Sequence, residues 1–324
     1  MIFLYISLIL ITLILFSCAV CSCLLFKIAI CKKEGVTTDA LITNLRKKYS
    51  NNEKVVAYTS EIEENITDFN NIGYEDVYIK SRDGLKLHGY LIPSKNAERT
   101  VIFSHGWQSD GRFDFSCIWK FYLEKNFNVL LIDHRSHGKS EGKYITFGIK
   151  ERFDLIDWIK YVNSRFGEDK KVFLSGLSMG SATVMMAIGD PELPRNVCGA
   201  SCDCGFISPY EEFKHVLKTG FHLPSFPVLN IANLISKRIA GFTFNEYSSI
   251  ESLKNTKIPV VFIHGKKDNF VPFSHTEKNK EACASRFISV EVDEAEHGLS
   301  YVIDKNAVTN GLLEVLSEAF EDIK

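Results

Sequence analysis

The chain has no excess of charge of either sign. Its 324 residues carry 38 Lys and Arg against 40 Asp and Glu, a formal net charge of −2. A broad basic field able to attract nucleic acid is therefore excluded. Framework cysteine spacing is missing too. The nine cysteines are an odd number without paired intervals, a pattern that suits a reducing compartment. Cys202-Asp203-Cys204 is spaced too tightly for a zinc pair, and no second pair accompanies it. No internal repeat and no low-complexity tract interrupts the chain. With 45% hydrophobic residues, the composition is globular and can supply one large core or two small ones.

Charge is also missing locally. From Ile2 to Phe26 there is no charged residue, and Ile, Leu and Phe dominate. As a helix this stretch would run roughly 37 Å at about 1.5 Å per residue, enough to cross a hydrocarbon core of about 30 Å. A cleaved signal peptide needs a basic leading region and a short apolar stretch, and both are lacking. A lipoprotein signal around Leu15-Phe16-Ser17-Cys18 lacks the same basic lead. A single-pass anchor over residues 1–33 with its flank is expected. Lys27, Lys32, Lys33 and Arg46 to Lys48 all follow the span, so the positive-inside rule puts the rest of the chain in the cytoplasm, at the cell membrane.

Residues 34–73 are polar and weakly patterned, and read as a juxtamembrane helix and linker. From residue 74 to 324, strand and helix signals alternate. Glu75–Ile79 and Leu85–Ile92 flank Asp83-Gly84, a hairpin signal. Short apolar runs follow at Thr100–Phe103, Asn126–Ile132, Lys171–Leu174, Val197–Cys202, Ile258–Ile263 and Phe287–Val292. Such runs fit strands covered on both faces. Helical spacing marks Lys150–Val162 and Ala307–Phe320. The expectation is an α/β domain with a mostly parallel sheet and an antiparallel start. The segment at about 206–253, with Pro209, Pro224 and Pro227, breaks the alternation and reads as a helical lid. Its Phe206, Phe213, Phe221 and Phe226 suit either an acyl chain or a packed lid core.

One motif carries chemistry. Gly176-Leu177-Ser178-Met179-Gly180 is G-x-S-x-G between an expected strand and an expected helix. A serine hydroxyl is a poor nucleophile unless it is held exposed beside a base. A sharp strand-to-helix turn provides the exposure, and flanking glycines remove side chains that would collide there. Ser104-His105-Gly106-Trp107 ends another strand, where an oxyanion loop belongs. The expected donors are the backbone N–H groups of Trp107 and Met179. Asp268 follows the penultimate strand and His297 the last. The order Ser178, Asp268, His297 is the one a nucleophile-elbow hydrolase requires. His105 is out of order for the base and takes a structural role.

With these residues in view, the chain resembles α/β-hydrolases of the microbial group labelled serine aminopeptidase-like or prolyl-oligopeptidase-like. The matching stretches are His105-Gly106, Asp133 to Gly142, Gly176 to Gly180, Gly265 to Pro272 and His297-Gly298. Asp133 to Gly142 is similar to the family loop D-x-R-G-H-G-x-S-x-G, with Ser136 in place of its first glycine. The resemblance implies a structural role for that loop, so His134 and His137 are not read as metal ligands, and no cofactor or metal is expected. It implies acyl transfer to water from a small-molecule acyl substrate, with carboxylesterase or lipase-like chemistry first and peptidase chemistry second. A non-catalytic, membrane-tethered binding protein on the same scaffold is a third reading, and such a protein would be expected to lose one of the three site residues.

Overall fold

A computed structural model describes residues 1–320 and 323. The chain opens with α1 (Ile2–Leu25), which runs into one turn of π-helix at Phe26–Ile30. Two helices follow, α2 (Thr38–Lys48) and α3 (Glu53–Ile72). The hairpin is β1 (Glu75–Lys80) and β2 (Lys86–Ile92). Ser81 donates its N–H to Leu85 at 2.9 Å, and Gly84 turns the chain at φ +91°. Then come β3 (Arg99–Ser104), α4 (Gly111–Asp114), α5 (Trp119–Glu124), β4 (Phe127–Ile132) and α6 (Glu151–Phe166). The next elements are β5 (Lys171–Leu177), α7 (Met179–Ala187) and β6 (Val197–Asp203). The insert holds α8 (Pro209–Gly220), α9 (Val228–Ile239) and α10 (Ser249–Leu253). The chain finishes with β7 (Val260–Gly265), α11 (Ser274–Ala282), β8 (Phe287–Val292), α12 (Ser300–Ile303) and α13 (Lys305–Ala319).

The strands form one sheet in the order β1-β2-β4-β3-β5-β6-β7-β8. β1, β2 and β4 pair antiparallel, and every pairing from β4 onward is parallel. The apolar runs fill strands with both faces covered: β4 is buried at every position. One core cluster, with Phe103, Tyr122, Phe173 and Val315, lies on one side of the sheet. A second, with Ile102, Trp158, Leu174 and Met185, lies on the other. This is the α/β-hydrolase fold, with a helical insertion and an N-terminal apolar helix. All loops that matter below leave the carboxyl ends of β3, β4, β5, β7 and β8.

Two features differ from the sequence reading. Residues 38–72 are not a linker. They form two helices docked on the domain, and Val55, Ile62 and Phe69 are fully buried. Burying each such side chain contributes about 1.5–3 kcal/mol. Polar contacts tie the pair down: Tyr49 donates its hydroxyl to Glu296 at 2.7 Å, and Lys305 pairs with Glu61 at 3.1 Å. The apolar spacing at 55, 62 and 69 was hidden among acidic and amide residues. The second difference lies in α1. Ile2–Ile30 is long and apolar enough to span a membrane, yet its last turns are not free of the domain. Ser22 is fully buried and donates to the Val228 carbonyl of α9 at 2.8 Å. Phe26, Ala29 and Ile30 belong to a third buried cluster with Phe147, Phe206 and Phe213.

Candidate active site

The strand-to-helix turn after β5 sets the first group. Ser178 sits at φ +55° and ψ −116°, a conformation that thrusts its side chain off the end of the sheet. The close packing that this turn demands is measurable at its glycines. A Cβ on Gly180 would lie 1.8 Å from the Ser104 carbonyl oxygen, and one on Gly176 would lie 2.4 Å from that of Gly180. No other residue fits either place.

The loops after β7 and β8 bring in the other two groups. They lie against each other so closely that a Cβ on Gly265 would be 2.2 Å from the Ala295 carbonyl oxygen. Lys266 and Lys267 donate their backbone N–H groups to Val292 and Ala295 at 2.9 and 3.0 Å. Zipped in this way, the loops present Asp268 to His297. His297 Nδ1 is 2.6 Å from Asp268 Oδ2, and its Nε2 is 2.9 Å from Ser178 Oγ. The three residues named from the sequence thus meet in one hydrogen-bonded chain, with Ser178 and Asp268 buried and His297 half-buried.

Asp268 is held by more than His297. Its Oδ1 accepts the backbone N–H groups of Phe270 and Val271, both at 2.9 Å. Its Oδ2 also takes His264 Nε2 at 3.1 Å. Burial pushes the carboxyl upward, but the hydrogen bonds from His264 and His297 outweigh it and hold the group well below the usual carboxylate range. His264 is fully buried, and its Nδ1 faces the Thr276 hydroxyl at 2.6 Å. His264 was not anticipated from the sequence. Its place four residues before Asp268, at the end of β7, was the available signal. Cys204, Asp268 and His297 offer ligand atoms within 4.8 Å of one another. Both ring nitrogens of His297 are already engaged, which leaves that histidine no free ligand atom.

Trp107 and Met179 stand where the sequence puts them, on the loop after β3 and at the first position of α7. Gly106 lies directly against the serine: a Cβ there would be 3.5 Å from Ser178 Cβ. The loop is fixed from below by Asp114, whose Oδ2 accepts the Gly106 N–H at 2.7 Å. It is fixed from behind by three buried histidines. His105 Nε2 accepts the His134 N–H at 3.1 Å, and its Nδ1 donates to the Gly106 carbonyl at 2.8 Å. His137 Nε2 accepts the Gln108 N–H at 3.0 Å, while its Nδ1 donates to the Arg135 carbonyl at 3.0 Å. His137 accepts at one nitrogen and is therefore neutral. Burial, then the neighbouring His105, push His137 down to about 3. The same causes hold His134 well below its ordinary value.

The Asp133–Gly142 loop carries His134 and His137. Arg135 bridges Asp154 at 2.6 and 2.7 Å and Asp83 at 2.8 and 3.2 Å. Ser136, at the usual glycine position, keeps a left-handed backbone at φ +66° and donates its hydroxyl to the Tyr144 carbonyl at 2.9 Å. Ser136 thus holds the left-handed backbone conformation that favours glycine.

Two cavities meet at Ser178. One of about 290 Å³ runs under α8, lined by Phe147, Phe206, Phe213, Leu217 and the last turns of α1. The other, about 220 Å³, lies between the catalytic-side loops and helices α2 and α3, with Gln108, Ser109, Tyr58 and His297 in its walls. Of the four lid phenylalanines, Phe206 and Phe213 are buried against Phe147, and Phe221 reaches the cavity while half-exposed. Phe226 does not line it and is 74% exposed. Glu212 does line it. Neither of its carboxyl oxygens has a hydrogen-bond partner among the described residues. Burial, then the charge of Asp268, raise its carboxyl well above the usual range.

The family model described as serine aminopeptidase, S33, matches residues 95–249. The esterase Pf2001 of Pyrococcus furiosus superposes with a TM-score of 0.61 at 23% identity, covering 78% of this chain and 92% of that one. The chain shares the α/β-hydrolase fold with that esterase. Among curated relatives, the uncharacterized protein YqkD of Bacillus subtilis is 28% identical over 238 residues, 74% of this chain and 77% of the relative. The uncharacterized membrane protein YNL320W of Saccharomyces cerevisiae is 25% identical over 220 residues, 67% of this chain and 71% of the relative.

Proposed function

We propose that this protein is a membrane-anchored serine hydrolase that cleaves carboxylic esters of acyl substrates. One observation carries the reading: the hydrogen-bonded chain from Ser178 Oγ through His297 to Asp268, at 2.9 and 2.6 Å. In this mechanism Ser178 attacks the ester carbonyl while His297 Nε2 takes its proton. Asp268 fixes the imidazole tautomer and stabilises the cation that forms. The backbone N–H groups of Met179 and Trp107 bind the oxyanion. His297 then hands its proton to the leaving alkoxide. Water, deprotonated by His297, attacks the acyl-enzyme and releases the acid and free Ser178. His264 acts through Asp268 as a positioning residue.

The ester reading, ahead of the peptidase one, rests on the apolar cavity beside Ser178, whose walls suit a hydrocarbon chain. The anchor reading rests on Ile2–Ile30 and on its docking. Removal of this helix as a signal peptide would strip Ser22, Ala29 and Ile30 from buried sites in the domain. The lysines that follow the span favour a cytoplasmic domain. The test is a panel of p-nitrophenyl esters of rising chain length, run beside aminoacyl anilides. Esters are expected to turn over, with a loss of at least about 10³-fold in Ser178→Ala. Turnover of anilides alone would move the assignment to a peptidase. Full ester turnover in the folded alanine variant would remove Ser178 from the mechanism.

A further inference from the structure

The wall of the apolar cavity is unusual in its source. Cys21, Leu24, Leu25, Ile28 and Ala29 all line it, and all belong to the apolar N-terminal helix or its π-turn. A segment long enough to span a bilayer thus shares its last turns with the cavity that ends at Ser178. Two hydrogen bonds fasten these turns to the loop beside the serine. Trp107 Nε1 donates to the Ala29 carbonyl at 2.9 Å, and Gln108 Nε2 donates to the Ile28 carbonyl at 3.0 Å.

The rim of the cavity is apolar and open. Leu24, Ile28 and Phe221 line it while 50, 55 and 57% exposed. Above that rim the helix continues outward as Leu13 to Phe16, four large apolar side chains that are each more than half exposed. The depth of the rim follows from the contacts of α9. Ser22 bonds Val228, so the segment carrying Phe221 and Phe226 lies level with Ser22. Ser22 precedes the first charged residue, Lys27, by about 7 Å of helix axis. Interfacial apolar side chains sit at about 5–10 Å into the headgroup–acyl boundary. Phe226, 74% exposed and without a place in the cavity, fits that level.

We infer that the substrate is an ester lipid resident in the bilayer, and that its acyl chain enters sideways between α1 and Phe221 to reach Ser178. The last turns of α1 are then both the membrane boundary and one wall of the acyl site. The second cavity, bounded by α2 and α3, receives the leaving group on the aqueous side. This inference rests on the reading of Ser178 as nucleophile, but its site can be tested without turnover.

The experiment uses the full chain in phosphatidylcholine vesicles doped with a phosphatidylcholine that carries a diazirine in its acyl chain. Ser178→Ala holds the lipid uncleaved. On irradiation, adducts are expected on the buried residues Phe206, Phe213 and Leu217, as well as on the outer face of α1. Leu25→Trp, which narrows the wall, should lower the Phe206–Leu217 adducts at least fivefold, with the melting temperature as the folding control. Adducts confined to residues 2–20 in the parent would overturn the inference. So would Phe213 labelling unaffected in a folded Leu25→Trp protein. Turnover of p-nitrophenyl butyrate by the parent separates the two readings. Turnover without internal adducts removes only the lateral route, whereas internal adducts without any ester turnover leave the lipid site and remove the hydrolase.

Discussion

Trp107 Nε1 lies 2.9 Å from the Ala29 carbonyl oxygen, so the loop beside Ser178 is hydrogen-bonded to the end of the apolar helix. A helix terminus leaves its last carbonyls without intrahelical partners. Here the Trp107 and Gln108 side chains satisfy two of them. The end of the apolar helix and the loop beside Ser178 are thus joined directly.

Trp107→Phe keeps an aromatic ring and the backbone N–H but deletes the indole donor. A hydrogen bond of this kind is worth about 0.5–1.5 kcal/mol. Turnover of a short-chain ester should fall about two- to tenfold, with the melting temperature lowered by a few degrees. Steady-state kinetics with thermal melts in detergent checks this; an unchanged kcat would detach the tether from the loop's position.

Gly180→Ala should be far more damaging than its size suggests. The added carbon would sit 1.8 Å from the Ser104 carbonyl oxygen, a backbone atom that cannot turn aside. The turn must open, at a cost on the order of 3 kcal/mol. Low soluble yield, or a melting temperature well below the parent's, is expected. A variant as stable as the parent would contradict the close approach of β3 and α7.

The buried histidines fix the sign of one pH effect. His137 is held down to about 3 in the folded protein, against 6.5 unfolded, and His134 is lowered as well. Between those limits the unfolded chain binds protons that the folded chain cannot. Their contribution is therefore fully present above pH 6.5 and is withdrawn as the pH falls toward about 3. Melting temperature should drop steadily over that window. His137→Gln can still accept from Gln108 and should flatten part of the slope; an identical slope would assign the acid sensitivity elsewhere. Asp268, held low by its partners, adds to the loss only at the acid end of this window, where the unfolded carboxyl takes up a proton and the folded one does not.

Much of this was legible in the sequence, for local reasons. Continuous apolar runs such as Phe127–Ile132 have one stable fate, a strand covered on both faces. The elbow glycines and the order of Ser178, Asp268 and His297 follow from the chemistry of one turn and three loops. What stayed hidden was long-range. Ile2–Phe26 reads as a span by composition alone, and nothing in composition says that its last turns close a cavity. Residues 34–73 read as a juxtamembrane helix and linker, and their docking on the domain stayed hidden because Val55, Ile62 and Phe69 are diluted by charge, although they bury completely. His264 escaped because its contact with Asp268 forms only once the loop after β7 has folded back through Phe270 and Val271.

The central claim is that Ser178 is a nucleophile activated by His297. The most direct test is mass spectrometry of the full chain after reaction with a fluorophosphonate. The account predicts one adduct, on Ser178, formed by the native protein, lost after heat denaturation and strongly slowed in a folded His297→Ala variant. A folded parent that never labels, or that labels on a residue other than Ser178, would contradict it.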